Sequence, residues 1–213
     1  ACAPYRRLHL CSHNLETIDT DKINSDNAKH NLLLEVCMAA YYEGDLIKTH
    51  YTPHQATYGD SASQLCTVLA RSFADIGDII RGKDLYRGNN KEKKKRDELD
   101  KKLKDIFGKI YKDVTNGSNG KNVALQDRYK GDKKNYFFQL REDWWTANRE
   151  TVWKAITCGH PGGKYFRATC NISRDNENTA TLAKDKCRCP KGDQVPTYFD
   201  YVPQYLRWFE EWA

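Results

Sequence analysis

No stretch of this 213-residue sequence is apolar enough for long enough to span a bilayer. Its start has neither a methionine nor the charged-then-apolar pattern of a secretory leader. We therefore expect a piece of a longer protein, with export and anchoring signals outside it. Catalytic motifs are missing too: there is no G-x-S-x-G, no H-E-x-x-H, no phosphate-binding glycine loop and no dinucleotide fingerprint. No internal repeat and no long Pro- or Ser-rich linker divides the chain. Only 39% of it is hydrophobic, against 30% charged. So few aliphatic residues would suit a disordered chain. The aromatics argue otherwise: five Trp and thirteen Tyr can bury the area that many Leu would.

Eight cysteines are present: Cys2, Cys11, Cys37, Cys66, Cys158, Cys170, Cys187 and Cys189. An even count spread along a polar chain reads as a disulfide framework from an oxidising compartment. Eight thiols admit roughly a hundred pairings, so no connectivity follows. The competing reading is zinc, assembled from Cys158, His160, Cys170, Cys187 and Cys189. No C-x-x-C pair of the usual structural knuckle occurs, and no metal or other cofactor is expected.

Five stretches carry helical periodicity. Residues 27–42 place Leu33, Val36, Cys37, Ala40 and Tyr41 on one face. Residues 63–86 repeat Leu65, Leu69, Phe73, Ile76 and Ile80 at spacings of three and four, with Ser61 or Ser63 as cap. Residues 91–114 align Leu99, Leu103, Ile106, Ile110 and Val114. There Asp97–Lys101, Glu98–Lys102, Asp100–Lys104 and Asp105–Lys109 stand acid before base at i,i+4. Residues 140–156 carry Leu140, Trp144, Ala147, Thr151 and Ala155, with Trp145, Val152 and Ile156 beside them. A last helix starts near Pro203 and carries Val202, Leu206, Phe209 and Trp212. Residues 158–196 are Gly-, Asn- and Cys-rich and read as stapled loop. The expected class is mostly α with long irregular segments.

Nothing in this pattern builds an active site. His50 and His54 have i,i+4 spacing, but Pro53 lies between them. Glu142 and Asp143 precede Trp144 and Trp145 in the manner of a glycosidase acid and base, but neighbours on a helix point about 100° apart, too far to face one bond. We expect no catalytic residue. The candidates that remain are basic. Residues 91–105 hold eight Lys/Arg against five Asp/Glu, with Lys93, Lys94, Lys95 and Arg96 bunched and Lys101 and Lys102 following. Arg128, Lys130, Lys133 and Lys134 form a second cluster among Tyr129 and Tyr136. The bland reading of both is a solvated face. The functional one is a footprint for polyanions such as sulfated glycans, in keeping with a net charge of +6. Nucleic acid is the rival polyanion, and neither a nucleic-acid motif nor the cysteine usage supports it.

Four stretches go beyond composition: ACAPYRRLHLC (1–11), ARSFADIGDIIRGKDLY (70–86), LREDWWTANRETVWKAITC (140–158) and DYVPQYLRWFEEWA (200–213). In order and together they resemble the signature blocks of a Duffy-binding-like domain. More narrowly they resemble the α type found near the N-terminus of the malaria-parasite variant surface adhesin, erythrocyte membrane protein 1. The resemblance spans the whole chain. It implies a disulfide-stapled, mostly α Duffy-binding-like fold: a loop-rich subdomain over 1–66, a helical bundle with variable loops over 67–199, and an incomplete helical third part over 200–213.

It further implies that Phe73, Ile76, Trp144, Trp145, Trp153, Tyr205 and Trp208 hold the scaffold. Arg6, Arg7, Asp75, Asp78, Arg141 and Arg149 would make ion pairs within it. The implied function is non-enzymatic adhesion outside the infected erythrocyte. The expected partners are host cell-surface receptors, sulfated glycans or blood-group sugars, and adjacent domains of the same adhesin, with membrane anchoring supplied by other parts. Four cysteines between the DIGDI and PQYLR blocks suit a subtype whose neighbour makes the main receptor contact. An architectural module that positions its neighbour is therefore the first alternative, and an intracellular zinc- or nucleic-acid-binding protein the second.

Overall fold

The computed structural model describes residues 2–58, 62–115, 123–160, 168–170, 180–183, 185–192 and 194–212, with backbone alone for 51–58 and 62–63. Two single-turn helices, α1 (Tyr5–Leu8) and α2 (His13–Glu16), lead into α3 (Ala28–Tyr58). Then come α4 (Ala62–Arg81), α5 (Asn90–Thr115), α6 (Val123–Arg128), α7 (Phe138–Ile156) and α8 (Gln204–Trp212). A short antiparallel pair, β1 (Ala168–Cys170) and β2 (Thr181–Leu182), lies between α7 and α8. The mostly α, disulfide-bonded expectation is met. The expected boundary at 66/67 falls inside α4, and one hydrophobic cluster runs from Leu10 to Val195 across it.

Local chemistry sets the helix ends. Asn89 caps α5: its side-chain oxygen accepts from the amides of Lys91 and Glu92, and Glu92 reaches back to the Asn89 amide. This reciprocal box satisfies donors that the first turn leaves open. At the other end of α4, Gly82 sits at φ +73°, while the Lys83 amide reaches the Asp78 carbonyl and the Gly82 amide that of Ile79. That left-handed stop is why α4 ends at Arg81 and not at Tyr86.

The core is built where α3, α4, α5 and α7 meet. Leu65, Leu69, Phe73, Ile76 and Ile80 of α4 are all buried, as are Leu99, Leu103, Ile106 and Ile110 of α5. Phe73 meets the rings of Trp145 and Trp153 at 5.1 and 5.2 Å. A Cβ on Gly44 would stand 2.0 Å from the Ile156 carbonyl oxygen, so only glycine permits this closeness of α3 to α7. Buried His160 fastens the same crossing, its Nε2 lying 2.9 Å from the Gly44 carbonyl.

Three helical faces differ from the sequence reading. Helix α3 buries Leu32, Val36, Ala39 and Ala40 and leaves Tyr41 exposed, and it continues past Tyr42 through Pro53 to Tyr58. Helix α7 exposes Ala147 and Thr151 and turns Arg141, Trp145, Val152 and Trp153 inward. On α8 the apolar stripe of Leu206, Phe209 and Trp212 faces solvent, as do Val202 and Tyr205. The buried residues there are Gln204, Arg207 and Trp208. On α3 and α8 a polar or small residue took the place that hydropathy assigned to a larger apolar one, whereas on α7 the large Trp145, Val152 and Trp153 are inside and the small Ala147 and Thr151 are not. The candidate caps fall outside these observations: Ser61 lies outside the described residues, and only the backbone of Ser63 is described.

A buried charge network explains the α8 reversal. Arg207 Nη2 lies 2.7 Å from Asp75 and 2.5 Å from Asp78. Arg6 joins Asp75 to Glu211 at 2.7 and 2.9 Å, and Arg81 bonds Asp78 and the Asp200 carbonyl. Asp200 also takes Arg149 at 2.7 Å and the Trp145 indole at 2.9 Å. Burial alone would raise the Asp75 carboxyl, but Arg6 and Arg207 overcome it and hold it below the ordinary carboxylate value. Asp78, where burial wins, is pushed up.

Replacing Arg207 by Met should cost about 3 kcal/mol in urea unfolding, because it strips a partner from two buried carboxylates. The Arg207→Met, Asp78→Leu pair should recover part of that loss. An unchanged single variant would show that the network carries no stability. His160 gives a pH signature. Burial lowers its pKa, so the fold favours the neutral ring. That contribution is complete above the unfolded value of about 6.5 and is lost as the pH falls below it. Stability should therefore drop between about pH 7.5 and 5.5, and drop less in His160→Gln. An equal drop in the variant would assign the loss elsewhere.

Candidate receptor-binding surface

The ten candidate cations divide into those the scaffold consumes and those it leaves free. On α5, Arg96 turns inward to Asp84, which Arg7 also holds at 2.6 Å. Burial, and then the neighbouring Arg7 charge, lowers Arg96 to about 10. Lys95 pairs with Glu16 at 3.3 Å, and the Lys102 ammonium donates to the Glu16 carbonyl at 2.6 Å. Lys93, Lys94 and Lys101 stay exposed, with no ion pair among the described residues. Of the four expected i,i+4 pairs, Asp105–Lys109 forms at 3.1 Å, whereas Asp100 is drawn across to Arg141 at 3.3 Å.

In the second cluster Arg128 grips Asp143 through two bonds of 2.5 and 2.6 Å. Arg128 holds Asp143 below the carboxylate range, and Tyr129 is pushed up to about 12 by burial and by Asp143. Lys130, Lys133 and Lys134 remain exposed. They ride on a tight turn whose Asp132 carboxylate is buried and accepts from the Gln139 and Leu140 amides at 3.0 and 2.9 Å, closing the start of α7.

The two clusters meet. Lys104, one turn beyond Lys101 on α5, stands 4.1 Å from the centre of the Tyr136 ring. The sequence reading placed Tyr136 beside the second cluster but did not count Lys104, Lys83 or Phe138 among its candidates. Their signal was the aromatic triplet 136–138 directly after Lys133-Lys134. Lys93, Lys94, Lys101, Lys104, Lys130, Lys133 and Lys134, with Lys91 and Lys112 toward the two ends of α5, are exposed and without an ion pair among the described residues.

Chemistry other than binding finds little here. Glu142 pairs with Lys83 at 2.6 Å and Asp143 with Arg128, so the adjacent acids serve different cations. The cysteines reject the zinc set: Cys66 bonds Cys187, and Cys170 bonds Cys189. That staples the 185–189 turn to α4 and to β1. Cys2, Cys11, Cys37 and Cys158 are free thiols, so the expected framework of eight paired cysteines is halved. Cys2 and Cys158 face solvent, and burial together with Glu43 pushes the Cys11 thiol up to about 11. Among the described residues no group of three His, Cys, Asp or Glu is placed to hold a metal ion.

The Duffy binding domain pattern matches residues 1–207. This chain belongs to the Duffy binding domain family. It is 43% identical, over its whole length, to the NTS-DBL1-alpha and CIDR-gamma double domain of the PfEMP1 protein from Plasmodium falciparum varO strain, with a TM-score of 0.74. It is 40% identical to the NTS-DBL1(alpha-1) domain of the same strain, at a TM-score of 0.71. To the PfEMP1 IT4var13 DBLbeta domain bound to ICAM-1 it is 32% identical, at a TM-score of 0.69. The chain spans 27%, 43% and 44% of those three chains. No curated protein matches it.

The scaffold roles implied by the family hold for Phe73, Ile76, Trp144, Trp145, Trp153 and Trp208, all buried in this Duffy binding domain. Tyr205 is the exception, half-exposed on α8. Arg6, Arg7, Asp75, Asp78, Arg141 and Arg149 all make ion pairs within the scaffold. Thiol titration of the native domain should find four reactive groups, Cys2 and Cys158 first and Cys11 more slowly, with no bound zinc. A count near zero would mean that bridges beyond these two form.

Proposed function

We propose that this chain is a non-enzymatic host-cell adhesion domain of a variant surface antigen, displayed outside the infected erythrocyte and engaging receptors or glycans on other host cells in cytoadherence or rosetting. One observation carries the reading. Most of the signature aromatics and arginines are spent on the interior, while exposed lysines of α5 and the 130–138 turn, among them Lys93, Lys94, Lys101, Lys104, Lys130, Lys133 and Lys134, have no ion pair among the described residues. Such a surface attracts polyanions in a salt-sensitive way. Sulfated glycans are the first ligand class to test. A solved DBLbeta relative is bound to ICAM-1, which supports receptor binding as a use of this fold.

The second reading is an architectural module. It is favoured by Lys95, Arg96, Lys102 and Arg128, four expected contacts that serve the scaffold instead. A matched relative is also a double domain with a cysteine-rich neighbour. Binding of the folded domain to intact red cells, with and without competing heparin, separates the two. Under the adhesion reading, binding saturates and weakens with salt. Reversing Lys93 and Lys94 to Glu should lower the salt needed for elution from heparin, since those side chains hold no scaffold contact. Unchanged retention would remove α5 from the binding surface, and absence of red-cell binding would favour the architectural role.

A further inference from the structure

The turn ahead of α7 carries three successive aromatics that the fold treats differently. Tyr136 and Phe137 both take left-handed backbone angles, φ 57° and 60°, which non-glycine residues adopt only under strain that the surroundings must hold. The turn drives Phe137 inside, 4% exposed, with its ring 5.6 Å from that of Tyr111. Packing of Phe137 and the Asp132 cap account for the turn itself. They do not account for its neighbours: Tyr136 is 60% exposed and Phe138 49%. Each outer ring carries an ammonium, Lys104 at 4.1 Å from Tyr136 and Lys83 at 5.1 Å from Phe138.

Phe138 also walls a cleft of about 540 Å³ lined by Arg128, Lys130, Asp132, Asn135 and Gln139. Its charges are already sorted. Asp132 is spent on two backbone amides, and Arg128 is cancelled by Asp143. Lys130 is the lining charge with no ion pair among the described residues, and Lys133 and Lys134 stand on the same turn. Gln139 donates its amide to Asp143, which leaves its carbonyl oxygen as an acceptor. An apolar ring face, neutral amides and the unpaired Lys130 ammonium in one open cleft, with Lys133 and Lys134 on the turn beside it, suit a ligand with an apolar face, hydroxyl edges and anionic substituents.

We propose that this cleft is a saccharide subsite for a pyranose bearing sulfate or carboxylate. Phe138 supplies the stacking face, Asn135 and Gln139 meet hydroxyls, and Lys130, Lys133 and Lys134 meet the anion. The proposal rests on the lysine-surface reading above and adds to it a ring that charge alone does not require.

Salt dependence separates ring from charge. Titrate a heparin-derived hexasaccharide, and separately a sialylated trisaccharide, into the folded domain over a salt series. Phe138→Ala should weaken binding roughly tenfold, with the slope of log affinity against log salt unchanged, because a stacked face is lost and no cation is. Phe138→Tyr should retain binding. Lys130→Gln should reduce the slope by about one. Ring-dependent binding of the sialylated probe alone would uphold the cleft and identify carboxylate as the anion. Phe138→Ala within twofold of the parent on both probes would overturn the subsite while leaving polyanion binding to the lysines intact. If neither probe binds the parent domain, subsite and lysine-surface reading fall together. The thermal transition of each variant, matched to the parent's, guards against loss through unfolding.

Discussion

Two buried carboxylates on successive turns of α4, Asp75 and Asp78, determine where the ends of this chain lie. Carboxylates taken out of water are tolerated only with cations and hydrogen bonds in place. Here the cations come from both extremities: Arg6 stands 69 residues before Asp75, and Arg207 stands 132 residues after it. Gln204 adds an amide to Asp75 and another to Asp84, the carboxylate that Arg7 and Arg96 share. The first residues, the middle helix and the last helix are therefore held by one polar node, with the Trp145 indole and Arg149 joined through Asp200. A hydrophobic contact would tolerate α8 in several rotations about its axis. A guanidinium whose Nη2 bridges two fixed carboxylates, and whose Nη1 is held by the Phe199 and Val202 carbonyls, tolerates essentially one.

That node also marks where reading the sequence succeeds and where it stops. Helices whose burial rests on aliphatic side chains at three-four spacing were legible: α5 came out within a residue at each end, and every core position named on α4 is buried. Faces decided by polar or small residues were not. Arg207 outranks Leu206 and Phe209 on α8 because an arginine with two buried partners must go inside. Gly44 and Ala39 outrank Tyr41 on α3 because the α7 backbone passes too close for a ring. Hydropathy has no way to score a pair whose other half lies a hundred residues distant. The family resemblance supplied part of it: it marked Arg6, Asp75 and Asp78, which do pair, but not Arg207, Asp84 or Asp200.

The candidate surface obeyed the same logic in reverse. Charge clustering picked out a helix and a turn that both leave lysines exposed, yet it could not tell a lysine facing solvent from one bent back on the scaffold. Glu16 on the short α2 takes up Lys95 through its side chain and Lys102 through its carbonyl, and Asp84 takes Arg96. What remains is smaller than the sequence suggested and differently placed, because Lys104 and Lys83 join it through aromatic rings and not through neighbours in sequence.

Specificity on such a surface has to come from something other than net charge. Exposed ammoniums on flexible stems are nearly interchangeable, and ion screening weakens them alike. A polyanion held only by them would slide. Features with fixed direction are needed to choose one ligand over another, and beside these lysines they are confined to the rigid turn that opens α7. The Asp132 cap and the buried Phe137 lock that turn, so the neighbouring rings and amides are presented in one geometry without ordering cost at binding. The buried node therefore does more than stabilise: through Trp145 and Arg149 it holds α7 against the bundle, and α7 begins at the turn that carries the proposed saccharide cleft.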